Sequence, residues 1–241
     1  MYEKDNLSQL LFIDIETVAQ CEDYLQLDHS SQLFWQKKAA NFKNESGLNV
    51  REIYEQRAGI YAEFGKIVSI GLGYFKFDGE ENLTFRVKAI TNDDELLILR
   101  EFTDLLRRKF DQEKLIFCAH NGKEFDFPYL CRRMTVNRIT IPEALSLRGK
   151  KPWEVKHLDT MDMWKFGDRK QYTSLDLLAN ILGVESSKDD ITGSDVNTVY
   201  YRDKNLNRIA AYCKKDVVVT AQVYLALQHM PLLSNDDIVM V

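Results

Sequence analysis

The sequence is poor in residues that break or cross-link a chain: 241 residues include four prolines, eleven glycines and four cysteines. So little proline and glycine argues against a long disordered arm, and there is no internal repeat or low-complexity tract. Cys21, Cys118, Cys131 and Cys213 are scattered without a CxxC pair. That spacing excludes a disulfide framework and a thiolate zinc site, and fits a reduced compartment. Cys118 and Cys213 lie in apolar stretches, as small core residues do. Long apolar runs are missing as well. Leu10 to Ile13 is cut short by Asp14 and Glu16, far below the length of a signal peptide core or membrane span. A cytoplasmic protein with no membrane contact is expected. Net positive charge is also lacking: 32 Lys and Arg against 37 Asp and Glu leave −5, which excludes coating of nucleic acid by charge alone.

What is present suits a core-forming α/β chain. Hydrophobic residues make up 45% of a length that fits one domain,. Leu10 to Val18 alternates, with Leu11, Ile13 and Ile15 on one face and Phe12, Asp14 and Glu16 on the other, which is a strand pattern. Residues 19 to 62 are mixed, with helix-like stretches at 34–42 and 50–61. Two β-rich runs follow, 66–77 and 83–91, joined by an Asp78-Gly79 turn signal. Asp93 and Asp94 open an amphipathic helix reaching about Phe110. Further expectations are a strand at 115–119, a helix at 127–136, a short strand at 157–160, a helix at 175–182 capped by Thr173 or Ser174 and stopped by Gly183, and a long helix from about 205 to 228. This order implies a mixed sheet covered by helices. The whole of 1–241 reads as one domain, with 19–62 a helical insertion after the first strand.

Charge is unevenly spread. From Cys131 to Lys170 ten Lys and Arg face five Asp and Glu, a local +5. Such a stretch is either a solvated basic face or a strip that steers a phosphate backbone.

Three carboxylate-bearing segments stand out. Asp14 and Glu16, two apart on a strand, share a face about 6.6 Å apart. They are either a solvent-exposed strand end or a pair whose repulsion a cation must offset. His120-Asn121-Gly122-Lys123-Glu124-Phe125-Asp126 joins a strand to a helix, where ligands collect in α/β sheets. There Asn121 and Asp126 can point into the crevice and Phe125 offers a flat face for a base or sugar. Ordinary turn chemistry, with Asp126 capping the next helix, reads equally from this segment alone. In the last helix, apolar positions recur at 209, 213, 217, 220, 223 and 227, and Asp216 with Tyr212 four residues before it lies on or beside that stripe. A carboxylate facing a core costs several kcal/mol unless paired or metal-bound. Lys214 and Lys215 are expected to point to solvent, so Asp216 needs a cation, and a metal shared with Asp14, Glu16 and Asp126 satisfies all four.

Asp14-Ile15-Glu16, Asn121-xxx-Phe125-Asp126 and Tyr212-xxx-Asp216 resemble the three exonuclease motifs of the DEDD, or DnaQ-like, superfamily. Tyr212, four before the last acid, resembles the DEDDy branch; the histidine branch would use position 211, which is Ala211. The second motif is similar to that of family B DNA polymerase exonuclease domains, and the chain resembles predicted stand-alone bacterial exonucleases related to them, over residues 10 to 228. The resemblance implies a ribonuclease H-like fold with a mixed five-stranded sheet, and two Mg²⁺ or Mn²⁺ held by Asp14, Glu16, Asp126 and Asp216. It also implies that Tyr212 orients or deprotonates the attacking water. Residues 19 to 62 depart from the minimal domain. No palm or thumb follows the third motif, so proofreading in cis is not expected.

The implied activity is 3′–5′ hydrolysis of single-stranded nucleic acid, DNA favoured over RNA. Oxygen ligands select Mg²⁺ or Mn²⁺ over zinc. Sequence-blind substrate contacts are expected from Phe125 and Asn121, from the backbone of Thr17 and Val18 toward the 3′-OH, and from Ser174 and Leu175. The last two lie in a Tyr172–Leu175 segment similar to one beside the terminal nucleotide in related domains. His120 and His157 read as satisfied supporting or core histidines, and Asp159 and Asp162 as supporting groups or a helix cap. An exoribonuclease on short RNA uses the same acids. A catalytically silent binding module would have lost one of them. A nucleotide phosphotransferase would want a Gly-rich phosphate loop, whereas Gly71 and Gly73 sit in a strand.

Overall fold

A computed structural model describes residues 7–42, 47–77, 82–168, 172–186 and 191–241. Six strands form one sheet in the order β5-β4-β1-β2-β3-β6. They are β1 (Leu10–Ala19), β2 (Gly65–Phe77), β3 (Leu83–Thr91), β4 (Ile116–Ala119), β5 (Leu158–Asp159) and β6 (Ile238–Met240). β1–β2 and β2–β3 are antiparallel; β1–β4, β4–β5 and β3–β6 are parallel. The expected five strands become six because Ile238–Met240 adds to the free edge of β3. Three residues are too few to show a period-2 pattern. The Asp78-Gly79 turn signal lies outside the described residues.

Eight α-helices are described: α1 (His29–Ala39), α2 (Val50–Arg57), α3 (Glu95–Lys109), α4 (Asp126–Val136), α5 (Thr160–Lys165), α6 (Leu175–Ile181), α7 (Val196–Tyr201) and α8 (Leu206–Leu227). The alternation of β1 puts Leu11, Ile13 and Ile15 into a core under α3 and α4, and Phe12 into a second core under α8. The segment between β1 and β2 holds α1, α2 and a cluster of its own around Trp35, Tyr54 and Phe64, which meets the sheet at Ala19.

Two glycines set how closely α8 lies on the sheet. Gly71 pairs with Asp14 in the β1–β2 ladder. A Cβ there would fall 2.8 Å from Val217 Cγ2 and 2.9 Å from the Cys213 carbonyl oxygen. One at Gly73 would fall 2.7 Å from Val217 Cγ1. Helix backbone thus rests on strand backbone, which carries residues 212–216 down onto β1. Gly71→Ala should lever α8 off the sheet, costing about 1–3 kcal/mol and much of the activity proposed below without touching an acid. Gly193→Ala, where nothing lies within 4 Å, should leave both melting temperature and rate near wild type.

A buried ion pair fixes α4. The Arg133 guanidinium donates to both Glu95 oxygens, at 2.9 and 2.6 Å, and to the Ala62 carbonyl at 2.7 Å. Glu95 also accepts from Ile67 N and Asn137 Nδ2, each at 2.8 Å. The pair joins the start of α3, the last turn of α4 and the entry to β2.

His157 is fully satisfied in the core. Its Nδ1 accepts from Phe117 N at 3.3 Å and its Nε2 reaches the Ala144 carbonyl at 2.8 Å. A carbonyl only accepts, so the proton sits on Nε2 of a neutral ring. Burial pushes its pKa down to about 4, from 6.5. The unfolded chain therefore takes up this proton at higher pH than the folded one. Its contribution is complete above pH 6.5 and is lost as pH falls toward 4, on the order of 3 kcal/mol in all. Chemical denaturation at pH 7 and pH 4.5 should show a steeper loss for wild type than for His157→Gln.

Candidate active site

Asp14 and Glu16 sit mid-β1, and the strand is irregular immediately after them. The β1–β2 register shifts between Glu16 and Thr17, a bulge of the kind that re-aims side chains beside active sites. Asp126 opens α4, whose preceding residue Phe125 provides no side-chain cap. The Asp126 carboxylate turns to β1 and accepts from Ile15 N at 3.1 Å, between the two acids of the strand. The helix-capping alternative for Asp126 is thereby replaced by a strand contact.

Asp216 reaches the same place from α8. Burial raises the pKa of Asp14 well above the usual carboxylate range, and Glu16, Asp216 and Asp126 raise it further; Glu16 is raised by burial, Asp216 and Asp126. Asp126 is pushed up to about 7 by burial first, with Asp159 and Asp216 adding to it. Four carboxylates from β1, α4 and α8 thus feel one another in a desolvated space. Asp14 Oδ2 is buried with no hydrogen-bond partner among the described residues. Tyr212 pairs with the Asp216 side chain one turn away, and its hydroxyl is held far above the tyrosine range by burial and by Asp216, Glu16 and Asp14. Lys214 and Lys215, expected to face solvent, are half-buried.

Cys213 was legible only as a core residue, and it is buried. Yet its Sγ and carboxylate oxygens of Asp14 and Glu16 all lie within 4.8 Å of one another. The thiol also donates to the Asp14 carbonyl at 3.5 Å. The apolar stripe that placed it inward is the same stripe that borders Asp216, so the periodicity contained the signal.

Asp159 organises the surroundings. Its carboxylate caps α5 through Met161 N and Asp162 N, and clamps the 120–126 turn by accepting from Asn121 N at 2.9 Å and Lys123 N at 3.1 Å. Both sequence readings of Asp159, cap and support, describe the same side chain. Asn121 adopts a left-handed backbone (φ 62°), and its Oδ1 is buried without a partner among the described residues. His120 links Thr160 Oγ1, at 2.9 Å, to the Thr173 carbonyl, at 2.8 Å. It thereby draws the 172–175 segment to this turn. In that segment Ser174 caps α6 and Leu175 packs half-buried against α8. Phe125 is half-buried against Tyr129. Thr17 pairs with the Tyr129 hydroxyl. Val18 has its side chain fully buried and its backbone in the ladder opposite Lys66.

The sheet order and the helices packed on it define a ribonuclease H-like fold. It is similar to the family B DNA polymerase from the hyperthermophilic archaeon Pyrobaculum calidifontis, with a TM-score of 0.54 at 15% identity, over 90% of this chain and 24% of that one. The chain thus spans about a quarter of the polymerase's length. No curated protein matches. Residues 60–237 match the family described as predicted 3′–5′ exonuclease related to the exonuclease domain of PolB, and the chain belongs to that family. The matched span begins after β1, so Asp14 and Glu16 are tied to it by the fold, through Ile15 and Asp126. Among the described residues no helix is long and apolar enough to cross a membrane.

Proposed function

We propose that this chain is a metal-dependent 3′–5′ exonuclease that removes nucleotides from single-stranded DNA, using Asp14, Glu16, Asp126 and Asp216 to hold two Mg²⁺ or Mn²⁺ ions. The observation that carries this reading is the buried, unpartnered Asp14 Oδ2 amid acids that raise one another. Such an arrangement is unfavourable unless a cation neutralises it. The carboxylate donors fit a hard cation; the Cys213 sulfur, kept protonated by burial and the same acids, is a departure from an all-oxygen pocket. Bound there, the ions would supply charge stabilisation for the entering and leaving oxygens of the phosphodiester.

The chain's own residues do the positioning. Asp126 is locked to Ile15, so acids from two elements keep a fixed separation. Tyr212, hydrogen-bonded to Asp216, can hold and aim a water through its hydroxyl. We infer that the sugar and base of the terminal nucleotide meet Asn121 and the Phe125 ring, in the turn that leads into α4, with further contacts from Thr17, the Val18 backbone, Ser174 and Leu175. We take the whole of 1–241 as one exonuclease domain with 19–62 inserted. The test is hydrolysis of 5′-labelled single-stranded DNA and RNA of equal sequence with Mg²⁺, Mn²⁺ or EDTA. Shortening from the 3′ end with metal and none in EDTA is expected. Faster RNA shortening would move the assignment to an exoribonuclease on short RNA, and no shortening of either would end it. Tyr212→Phe should retain a rate reduced about 10- to 100-fold, measured under single turnover.

A further inference from the structure

Four of the ten cations in the basic stretch that runs from residue 131 line one cavity of about 940 Å³ beside α4. Pro128, Cys131, Arg132 and Thr135 line it, a face of α4 turned away from Asp126. Its floor is apolar, with Ile139, Ile141, Leu147 and Val155. Its rim carries Lys123, Arg132, Arg138, Arg148 and Lys150 against Glu124 and Asp162. Five cations to two acids is a local reversal on a chain of net charge −5. Lys123 pairs with Asp162 at 3.4 Å. The other four are exposed and have no ion-pair partner among the described residues.

One end of this groove is the 120–126 turn itself: Lys123 and Glu124 line it three and two residues before Asp126. A strand whose 3′ end lay among the acids would pass over that turn and enter the groove. The acids alone repel a polyanion, so the charge that attracts it must come from elsewhere. We propose that the groove holds the single-stranded nucleic acid 5′ of the terminal nucleotide, its phosphates on the cationic rim and its sugars and bases over the apolar floor. This rests on the exonuclease reading and names where its substrate binds. The stretch of α4 that lines the groove, Phe127 to Thr135, spans about 12 Å, room for roughly three or four stacked nucleotides at about 3.4 Å each. None of the rim groups forms a rigid base-reading array, so binding should be indifferent to sequence.

The experiment is fluorescence anisotropy with 5′-labelled 3-mer and 15-mer single-stranded DNA, in EDTA and across a salt series, on wild type and on Arg132→Glu/Arg148→Glu/Lys150→Glu. Wild type should bind the 15-mer at least about tenfold more tightly than the 3-mer. The triple variant should lose about tenfold or more on the 15-mer, with the salt slope reduced by about two, and keep its 3-mer affinity. Should its melting temperature fall, Arg132→Gln/Arg148→Gln carries the same test with a slope change of about one. Unchanged 15-mer affinity and slope in the variants would overturn the proposal. So would a free nucleoside monophosphate that binds wild type as tightly as the 15-mer does. Because binding is read without turnover, the two readings fail separately. Cation-dependent 15-mer binding without hydrolysis in Mg²⁺ would sink the nuclease assignment, and hydrolysis with groove-independent affinity would sink the groove.

Discussion

Asp14→Asn is expected to lower the rate of 3′-end hydrolysis by about 10³-fold or more and, in the same protein, to raise the melting temperature measured in EDTA at neutral pH. The two effects have one cause. Asp14 is half-buried beside Glu16, Asp216 and Asp126, and its Oδ2 is buried with no partner among the described residues. Its ionised form is therefore costly in the fold, which is why its pKa is raised. A raised carboxylate pKa means that the folded state holds the proton more tightly than the unfolded chain. The stability this gives is complete below about pH 3.8 and is lost as pH rises. An amide of the same shape carries no charge, donates to the neighbouring acids and escapes that loss. The variant's advantage in EDTA should thus vanish near pH 4 and be largest at neutral pH. Losing a metal ligand removes several kcal/mol of transition-state stabilisation, hence the 10³-fold fall at about 1.4 kcal/mol per tenfold. Addition of Mg²⁺ should reverse the order of stability, since the wild type gains more from binding. Thermal melts with and without Mg²⁺, beside single-turnover rates, measure all of this. A variant less stable than wild type in EDTA at pH 7, or one that keeps its rate, would sink the account of Asp14.

Arg133→Ala should be the most destabilising single substitution outside the acids, by about 3–5 kcal/mol. It strips a buried carboxylate of both guanidinium contacts and leaves Glu95 with Ile67 N and Asn137 Nδ2. For a chain of this length that corresponds to a fall in melting temperature of roughly 10 °C or more. Arg133→Lys should recover little, because an ammonium cannot replace a fork that contacts two Glu95 oxygens and the Ala62 carbonyl,. Since Arg133 lies two turns along the helix that Asp126 begins, the variant should also lose activity as temperature approaches its melt. Urea denaturation gives the stability; a cost below about 1 kcal/mol for Arg133→Ala would show the pair to be unimportant.

Much of the fold was readable because the elements near the acids carry strong periods. β1 alternates as far as the irregularity after Glu16, and the apolar stripe of α8 indicated both its length and the side on which Tyr212 and Asp216 lie. Turn chemistry narrowed the cap of α6 to Thr173 or Ser174, of which Ser174 fills the role. The missed elements are short or depend on distant partners. α7, of six residues, is defined by burial of Val196 and Val199 against Val18 and Ile209, and β6 exists only by pairing with β3. The Glu95–Arg133 pair was hidden for a similar reason: residues 38 apart show no local pattern, and Asp93 and Asp94 account for the helix start by themselves. At the site, residue types suggested the acids, but the sequence could not reveal the Ile15–Asp126 bond that sets their spacing. Nor could it show the Asp159 clamp on the 120–126 turn, or the sulfur of Cys213 next to Asp14. Each depends on backbone approach, above all where Gly71 and Gly73 let α8 rest on β2.

Titration of the protein with Mn²⁺, followed by the electron paramagnetic resonance signal of the free ion, bears most directly on the shared cation site. Saturable loss of signal equivalent to two ions per chain at neutral pH is predicted, falling in Asp14→Asn and competed by Mg²⁺. A free-ion signal that rises in step with added Mn²⁺ from the first addition, the same in wild type and variant, would contradict it.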